Sequence, residues 1–248
     1  MKKILILILF IIIPLFISCE SKDNKTITNN DINIINETST EVVREIHEVD
    51  YELVNELLNL IKKCINGDYI ITSSGTTVAK KGLITYKQIS DSVETKNDNE
   101  YKVISKSNSL FVKLYHEAFF NDDNVKYRTK EDSDFIDLSV SDYKEIYGVI
   151  PYENFLNYIV NSDTIISIEK NDSIYKVVLD NELSTVNSKI QMKTFGDLKD
   201  YPEFTYLEMI ITCDDKIRNV IINANYNINV NALGSMNANM NLSIDFNY

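Results

Sequence analysis

The sequence predicts an α+β fold in which a long N-terminal helix and a helical insert cover one apolar face of an antiparallel sheet. Three observations support this prediction: one long apolar stripe at helical spacing, many short strand-like runs separated by turn-rich breaks, and a final pair of strictly alternating segments. With only three cysteines in 248 residues, the domain must depend on a conventional hydrophobic core.

The chain begins with a basic pair, Lys2 and Lys3, followed by an apolar run from Ile4 to Ile17. This run is shorter than the about 20 residues that a membrane-spanning helix needs, so it indicates a secretory signal. Its end, FISC, resembles the bacterial lipobox, although Phe16 stands where that motif usually has leucine. An ordinary cleaved signal and an uncleaved anchor are the alternatives.

The lipobox resemblance implies that residues 1–18 are a lipoprotein signal peptide and that Cys19 becomes the first residue of the mature chain. It also implies a covalent diacylglycerol and an N-acyl group on Cys19, which together anchor a protein durably. The expected location is therefore extracytoplasmic, anchored to a bacterial membrane. Both the outer membrane or cell surface and the periplasmic face of the inner membrane fit.

Residues 19–39 are polar and lack a steady period, which predicts a flexible tether reaching roughly 25 Å. Removing residues 1–18 takes away two lysines and no acids, so the net charge changes from −12 to −14. A chain this acidic is not expected to bind nucleic acid or an anionic bilayer through its charge. The lipid anchor is the expected contact with the membrane.

An amphipathic helix is predicted over residues 40–66. Thr38 and Glu41 fit a capping box, and Gly67 fits the C-terminal stop. The apolar stripe recurs at steps of three and four residues and comprises Val42, Ile46, Val49, Leu53, Leu57, Leu60 and Cys64. The same stripe nearly keeps a heptad repeat, so a coiled-coil partner is an alternative.

The rest of the domain reads mainly as strands, with one helical insert at 141–162 that Ser141 caps and in which Pro151 begins the second part. The stretch 183–200 is ambiguous. The predicted strands are 69–78, 83–89, 101–105, 110–120, 125–129, 164–170, 174–180, 204–213, 217–232 and 236–248.

The final two strands alternate apolar residues at even positions with asparagines at most odd positions. Since successive side chains of a strand point to opposite faces, one face should be apolar and the other a neutral polar coat. Even must pair with even, so we predict a hairpin with the three-residue loop 233–235 and Gly234 in an unusual backbone conformation. The expected apolar pairs are Ala232 with Met236, Val230 with Ala238, Ile228 with Met240, and Tyr226 with Leu242. The expected amide pairs are Asn231 with Asn237, Asn229 with Asn239, and Asn227 with Asn241.

The element order over residues 40–248 resembles the bacterial lipoprotein-carrier fold of the LolA and LppX type. The resemblance implies a single domain built as an antiparallel half-barrel, with helices on its concave apolar face and an acyl chain or other apolar ligand between them. It lies in element order, so it assigns no functional residue. The apolar patterns predict a ligand-binding cavity face comprising Leu53, Leu57, Phe155, Ile159, Tyr226, Ile228, Met240 and Leu242. The alternative is a structural or surface-interaction lipoprotein with a filled core.

No enzymatic site, cofactor or metal site is predicted. The two histidines, His47 and His116, have no metal-ligand spacing, and the acidic segment 121–142 lacks the spacing of a calcium loop. SGTTVAKKG lacks the phosphate-binding GxxxxGK[ST] pattern. Cys64 and Cys213 are expected in the core, with a disulfide between them as the alternative.

Overall fold

The computed structural model describes residues 49–65, 67–97, 100–109, 113–121, 123–147, 160–193, 202–230 and 234–248. Its helices in these ranges are α1 (Tyr51–Ile65), α2 (Val140–Tyr147) and α3 (Asn181–Lys193). Its strands there are β1 (Tyr69–Lys81), β2 (Ile84–Asn97), β3 (Glu100–Ser109), β4 (Lys113–Asn121), β5 (Asn124–Arg128), β6 (Ile136–Ser139), β7 (Ile165–Asn171), β8 (Ile174–Leu179), β9 (Glu203–Cys213), β10 (Ile217–Val230) and β11 (Gly234–Asn247).

All eleven strands belong to one open antiparallel sheet, in the order β6-β5-β4-β3-β2-β1-β11-β10-β9-β8-β7. The first and last strands of the chain pair with each other, and the edges are β6 and β7. Every other neighbouring pair consists of strands that are consecutive in the chain, as expected of a meander, with α3 lying between β8 and β9. The predicted antiparallel sheet is therefore confirmed, and the described part of the domain is mostly sheet.

Helix α1 begins later than predicted. Val49 and Asp50 precede it, and the Asp50 carboxylate accepts hydrogen bonds from the backbone N–H groups of Glu52 (3.0 Å) and Leu53 (3.2 Å). One continuous helix over 40–66 is therefore wrong, because the Asp50 cap begins α1 at Tyr51; residues 40–48 of the predicted helix lie outside the described residues. Residues 1–48 lie outside the described residues, so the signal peptide, the tether, the Thr38 capping box and lipidated Cys19 stay predictions.

The two later helices also have identifiable N-caps. Ser139 caps α2, since its Oγ accepts the backbone N–H of Asp142 at 3.0 Å; the cap predicted at Ser141 is therefore wrong. The ambiguous stretch 183–200 contains most of α3, which Asp180 caps through the N–H of Leu183 at 2.9 Å. Residues 148–159 of the predicted insert lie outside the described residues.

Helices α1 and α2 lie on the same side of the sheet, which we call the inner face. The apolar stripe of α1 joins the inward side chains of β7 to β11 in one buried cluster, and Lys170 at the edge of the sheet pairs with Glu56 at 2.8 Å. Tyr143 of α2 joins a second cluster with inward residues of β3, β4 and β5. Helix α1 contacts β7 and β10, and α2 contacts β5 and β6.

The final hairpin keeps the predicted faces but not the predicted register. Even pairs with even, and three residues separate Val230 from its partner Gly234, whose φ is +72°. Ile228 pairs with Met236 rather than with Met240. The left-handed glycine begins β11 instead of standing in the middle of the loop, so the chain reverses two residues earlier than predicted.

The asparagine coat on the outer face is confirmed, with different partners. The Asn239 side chain donates to the Asn225 side chain at 2.5 Å, and Asn241 donates to Asn223 at 2.7 Å. Each pair lies directly across the β10–β11 ladder. These amides hydrogen-bond across strands without adding charge, as the pattern predicted.

Candidate ligand-binding site

One half of the inner face is an apolar wall, formed by α1 and the inward residues of β7 to β11. Of the predicted cavity-face residues, Phe155 and Ile159 lie outside the described residues. Leu53 is partly buried against the wall. The other five belong to the wall and are at most 6% exposed: Leu57, Tyr226, Ile228, Met240 and Leu242.

Beside this wall the inner face becomes polar. The registers of β1, β2 and β3 place nine inward positions in three rows, and we call them the hydroxyl grid. The rows are Ser73–Ser92–Ser105, Gly75–Ser90–Ser107 and Thr77–Gln88–Ser109. Six of the nine side chains are only 3% to 7% exposed: Ser73, Thr77, Gln88, Ser92, Ser105 and Ser107.

Several grid side chains hydrogen-bond to each other. Ser73 and Ser92 share a bond of 2.6 Å between their hydroxyl oxygens. Ser107 accepts from Ser90 at 3.2 Å and from the side-chain nitrogen of Gln88. The carbonyl oxygen Oε1 of Gln88 is buried and has no hydrogen-bond partner among the described residues. A buried amide oxygen without a partner is unfavourable, so this atom marks a position that a ligand can satisfy.

Gly75 forms the border between the grid and the apolar wall. A Cβ at this position would lie 3.0 Å from Cδ1 of Leu242, so the absence of a side chain lets Leu242 lean over the middle row. Tyr226 is buried at the same border, and this burial raises the pKa of its phenol. Apolar and hydroxyl surfaces therefore meet directly.

At the opposite border, His116 of β4 stands across from Ser105. Its Nε2 lies 2.8 Å from the hydroxyl of Tyr143, which belongs to α2. Burial lowers the pKa of His116 to about 3, although the carboxylate of Glu117 acts in the opposite direction. The imidazole is therefore neutral at physiological pH and adds no charge to this border.

An ionisable pair closes one end of the grid. Glu94 follows Ser92 on the inward side of β2, and its carboxylate accepts a hydrogen bond of 2.7 Å from the hydroxyl of Tyr101. Burial raises the pKa of Glu94 to about 7, and the bond from Tyr101 lowers it in part. Lys96 lies one inward position further along, 5.8 Å from the ring centre of Tyr69. At this end of the grid, charge thus begins only beyond the row Ser73–Ser92–Ser105.

The described residues contain two cysteines, Cys64 and Cys213, which are buried and unbonded to each other. The sulfur of Cys64 accepts the backbone N–H of Ile217 at 3.4 Å, so the prediction that both lie in the core is confirmed. Within the described ranges there is no group of three or more His, Cys, Asp or Glu side chains that could hold a metal ion. The helices in those ranges are too short or too polar to cross a membrane.

Sequence reasoning missed the hydroxyl grid. Its signal was present as serine at alternate positions, in SKSNS of β3 and in QISDS of β2. Serines in a strand are also common at exposed positions, so alternation alone does not say which face they take. Only the register with β1 shows that Ser105, Ser92 and Ser73 form one inward row.

No protein-family model matches the chain, and no curated protein matches it significantly in sequence. Among solved structures it is similar to the ywiB protein from Bacillus subtilis, with 9% identity over 76% of this chain and 99% of that one and a TM-score of 0.23. A beta-barrel-like protein of the domain of unknown function DUF1849 from Brucella abortus has 8% identity over 73% of this chain and 99% of that one, with a TM-score of 0.25.

The LolA superfamily protein NE2245 from Nitrosomonas europaea has 10% identity over 76% of this chain and 92% of that one, with a TM-score of 0.25. Likenesses this low carry no argument about fold or function. The feature that bears on function is the inner face itself, where an apolar wall and a buried hydroxyl grid meet on one sheet.

Proposed function

We propose that this protein is an extracytoplasmic lipoprotein, anchored through Cys19, that binds an acyl chain or another apolar ligand between its helices and the inner face of a half-barrel sheet. The proposed role is binding and not catalysis. One observation carries it: of the helices in the described ranges, the two on the inner face stand on opposite flanks, α1 on β7 and β10 and α2 on β5 and β6.

The span between those flanks fits an elongated apolar ligand. Six strand spacings separate β5 from β10 in the sheet order, which corresponds to about 29 Å along the sheet. One α-helix with its side chains is about 10 Å wide. Leu242 and Met240 line the side of this span next to α1, where an acyl chain would find apolar contacts.

The second candidate is a structural or surface-interaction lipoprotein whose helices fill the sheet and leave no space for a ligand. Its support is the near-complete burial of Leu57, Tyr226 and Ile228 against their neighbours, since residues of a filled core are buried in this way.

The two candidates differ in their response to Ala238→Phe, a change on the inner face opposite Tyr226. The full-length protein would be purified from membranes in detergent, and non-covalently bound lipids extracted and identified by mass spectrometry. If space for a ligand exists, the variant should keep its fold and lose the co-purifying lipid. If the core is filled, it should lose about 1–3 kcal/mol of stability, and no lipid should co-purify with either chain.

Asn239→Phe is the matched control, because Asn239 is the next residue of β11 and faces outward. It introduces the same side chain into the same strand and should leave co-purifying lipid unchanged. Equal lipid from all three chains would indicate carry-over by detergent and would contradict a ligand on the inner face.

The anchor is tested separately with Cys19→Ala. The variant should leave the membrane fraction or accumulate as an unprocessed precursor, whereas Ser21→Ala should be processed and retained normally. Normal processing and unchanged membrane retention of the Cys19→Ala chain would contradict lipidation at this residue.

A further inference from the structure

We infer that the hydroxyl grid binds the head of the ligand, and that this ligand is an amphiphile with an uncharged, hydroxyl-bearing head group. The inference rests on the proposed function and adds the chemical class of the ligand. It assigns two parts to the inner face, with the acyl chain along the apolar wall and the head group against β1, β2 and β3.

The composition of the grid requires an explanation that core packing does not supply. Eight of its nine positions carry a hydroxyl or amide side chain, although mostly aliphatic and aromatic side chains fill the inward positions of β8, β9 and β10. Burying a hydroxyl gives little net stability even when it is hydrogen-bonded, and burying it unpaired is unfavourable. A polar ligand would give these groups partners that the chain itself supplies only in part.

Gln88 indicates what the head group must offer. Its side chain is 3% exposed, its nitrogen donates to Ser107, and its carbonyl oxygen has no partner among the described residues. If the amide were turned over, the oxygen would accept from the Ser107 hydroxyl and the nitrogen would be the atom without a partner. A hydroxyl group both donates and accepts, so it fits Gln88 in either orientation.

The charges around the grid favour an uncharged head. None of the nine grid positions carries an ionisable side chain, and His116 at one border is neutral. The first inward ionisable group beyond Ser92 is the carboxyl of Glu94, which would repel a phosphate or carboxylate when ionised. The inward cation Lys96 lies one inward position beyond Glu94, so the Glu94 carboxyl stands between it and the grid. A buried anion that does not contact a cationic partner is strongly unfavourable.

The position of the border joins the two parts of the ligand. Leu242 leans over Gly75 in the middle row, between Ser73 and Thr77. An acyl chain lying on Leu242 and Met240 therefore reaches Ser90 and Gln88 within two strand spacings, about 10 Å, and Ser107 within three, about 14 Å. The head group attached to such a chain therefore lies over the grid.

The test compares three probes with the same acyl chain: 1-monopalmitoylglycerol, methyl palmitate and palmitate. Each would displace a fluorescent acyl probe from the full-length protein at one fixed detergent concentration. We expect 1-monopalmitoylglycerol to bind about tenfold more tightly than methyl palmitate, which has no hydroxyl, and more tightly than palmitate at pH 8.

Gln88→Met keeps the length of the side chain and removes the amide. It should reduce the preference for 1-monopalmitoylglycerol over methyl palmitate to less than about threefold while leaving the affinity for methyl palmitate within about twofold. Ser107→Ala is the second variant and should shift the preference in the same direction if Gln88→Met does not fold. Asn239→Ala on the outer face should change neither affinity.

The outcomes separate the two proposals. If all three probes bind the wild-type protein equally, a ligand site exists but the grid does not recognise the head group. The same conclusion follows if Gln88→Met and Ser107→Ala reduce the affinity for all three probes equally. If palmitate binds best, the uncharged head is wrong. If no probe binds, the proposed function fails and this inference fails with it.

Discussion

The apolar wall and the hydroxyl grid are neighbouring regions of one face of one sheet, and they are buried to nearly the same extent. The buried wall residues are at most 9% exposed, and the six buried grid side chains are 3% to 7% exposed. Burial therefore does not distinguish the two regions. Their chemistry does, because one consists of aliphatic and aromatic side chains and the other of serine, threonine and glutamine.

This difference shows which region stabilises the fold. Burying one large apolar side chain contributes about 1.5–3 kcal/mol, and the wall contains many of them. A hydrogen bond between buried hydroxyls contributes about 1 kcal/mol net, and a hydroxyl without a partner is unfavourable by a similar amount. The wall supplies most of the stability. The grid supplies little, which agrees with a role in binding.

The largest effect expected from the wall is that of Leu242→Asp. It places a carboxylate in the apolar cluster, and the free energy of charge burial exceeds the stability margin of an ordinary domain, so we expect the variant to be unfolded. Asn241→Asp is the control, since the neighbouring side chain faces outward. It should fold with a loss of no more than about 1 kcal/mol. Circular dichroism and urea denaturation would measure both, and a folded Leu242→Asp chain would contradict the assigned faces.

The sheet itself was largely predictable from the sequence. The bounds of β7, β8, β9 and β10 lie within two residues of the prediction, because alternation and turn residues mark them locally. The faces of β10 and β11 were predictable for the same reason. Alternation fixes which residues share a face, and the apolar even positions identify the buried one.

What could not be predicted depends on contacts between distant segments. Parity allows any register that differs by two residues, so the sequence alone did not decide between Met240 and Met236 as the partner of Ile228. The apolar stripe of the first helix continues upstream of Asp50, and the cap that begins the helix at Tyr51 competes with that periodicity. The grid combines three strands, so no local pattern reveals it.

Glu94 at the end of the grid provides the next test. Its pKa is raised to about 7 from an ordinary value of 4.5. Between these two pH values the folded protein therefore keeps a proton on Glu94 that the unfolded chain releases. Its contribution to the free energy of unfolding is therefore complete below about pH 4.5 and falls as the pH rises to about 7.

Glu94→Gln should remove this fall. The difference in free energy of unfolding, variant minus wild type, should become about 1–3 kcal/mol more positive at pH 8 than at pH 5, as measured by urea denaturation. His116, whose pKa is lowered, destabilises both proteins as the pH falls, so its contribution cancels in the comparison. Thr95→Ala, the adjacent outward change, should alter stability equally at both pH values. A pH-independent difference for Glu94→Gln would show that this carboxyl is well solvated.

Ser73 and Ser92 test whether the grid contributes to stability. Ser73→Ala removes one partner of the 2.6 Å bond and leaves the buried Ser92 hydroxyl unpaired, so the variant should lose about 1–2 kcal/mol. The double variant removes both hydroxyls and should return to within about 0.5 kcal/mol of wild type. A double-mutant cycle in urea would measure the coupling. If the double variant is less stable than either single variant, the grid hydroxyls contribute to the stability of the fold.

The smallest effects are expected on the outer face, where Asn225 and Asn239 share a hydrogen bond. Asn225→Asp and Asn239→Asp should each change stability by less than about 0.5 kcal/mol, because both side chains are exposed. The double variant places two carboxylates directly across the ladder in a protein with a net charge of −12. Its loss of stability should exceed the sum of the two single losses by about 0.2–1 kcal/mol. Because exposed charges are screened, the extra loss should shrink in about 1 M salt. If the loss in the double variant at low salt equals the sum of the two single losses, the neutral charge of these asparagines does not contribute to stability.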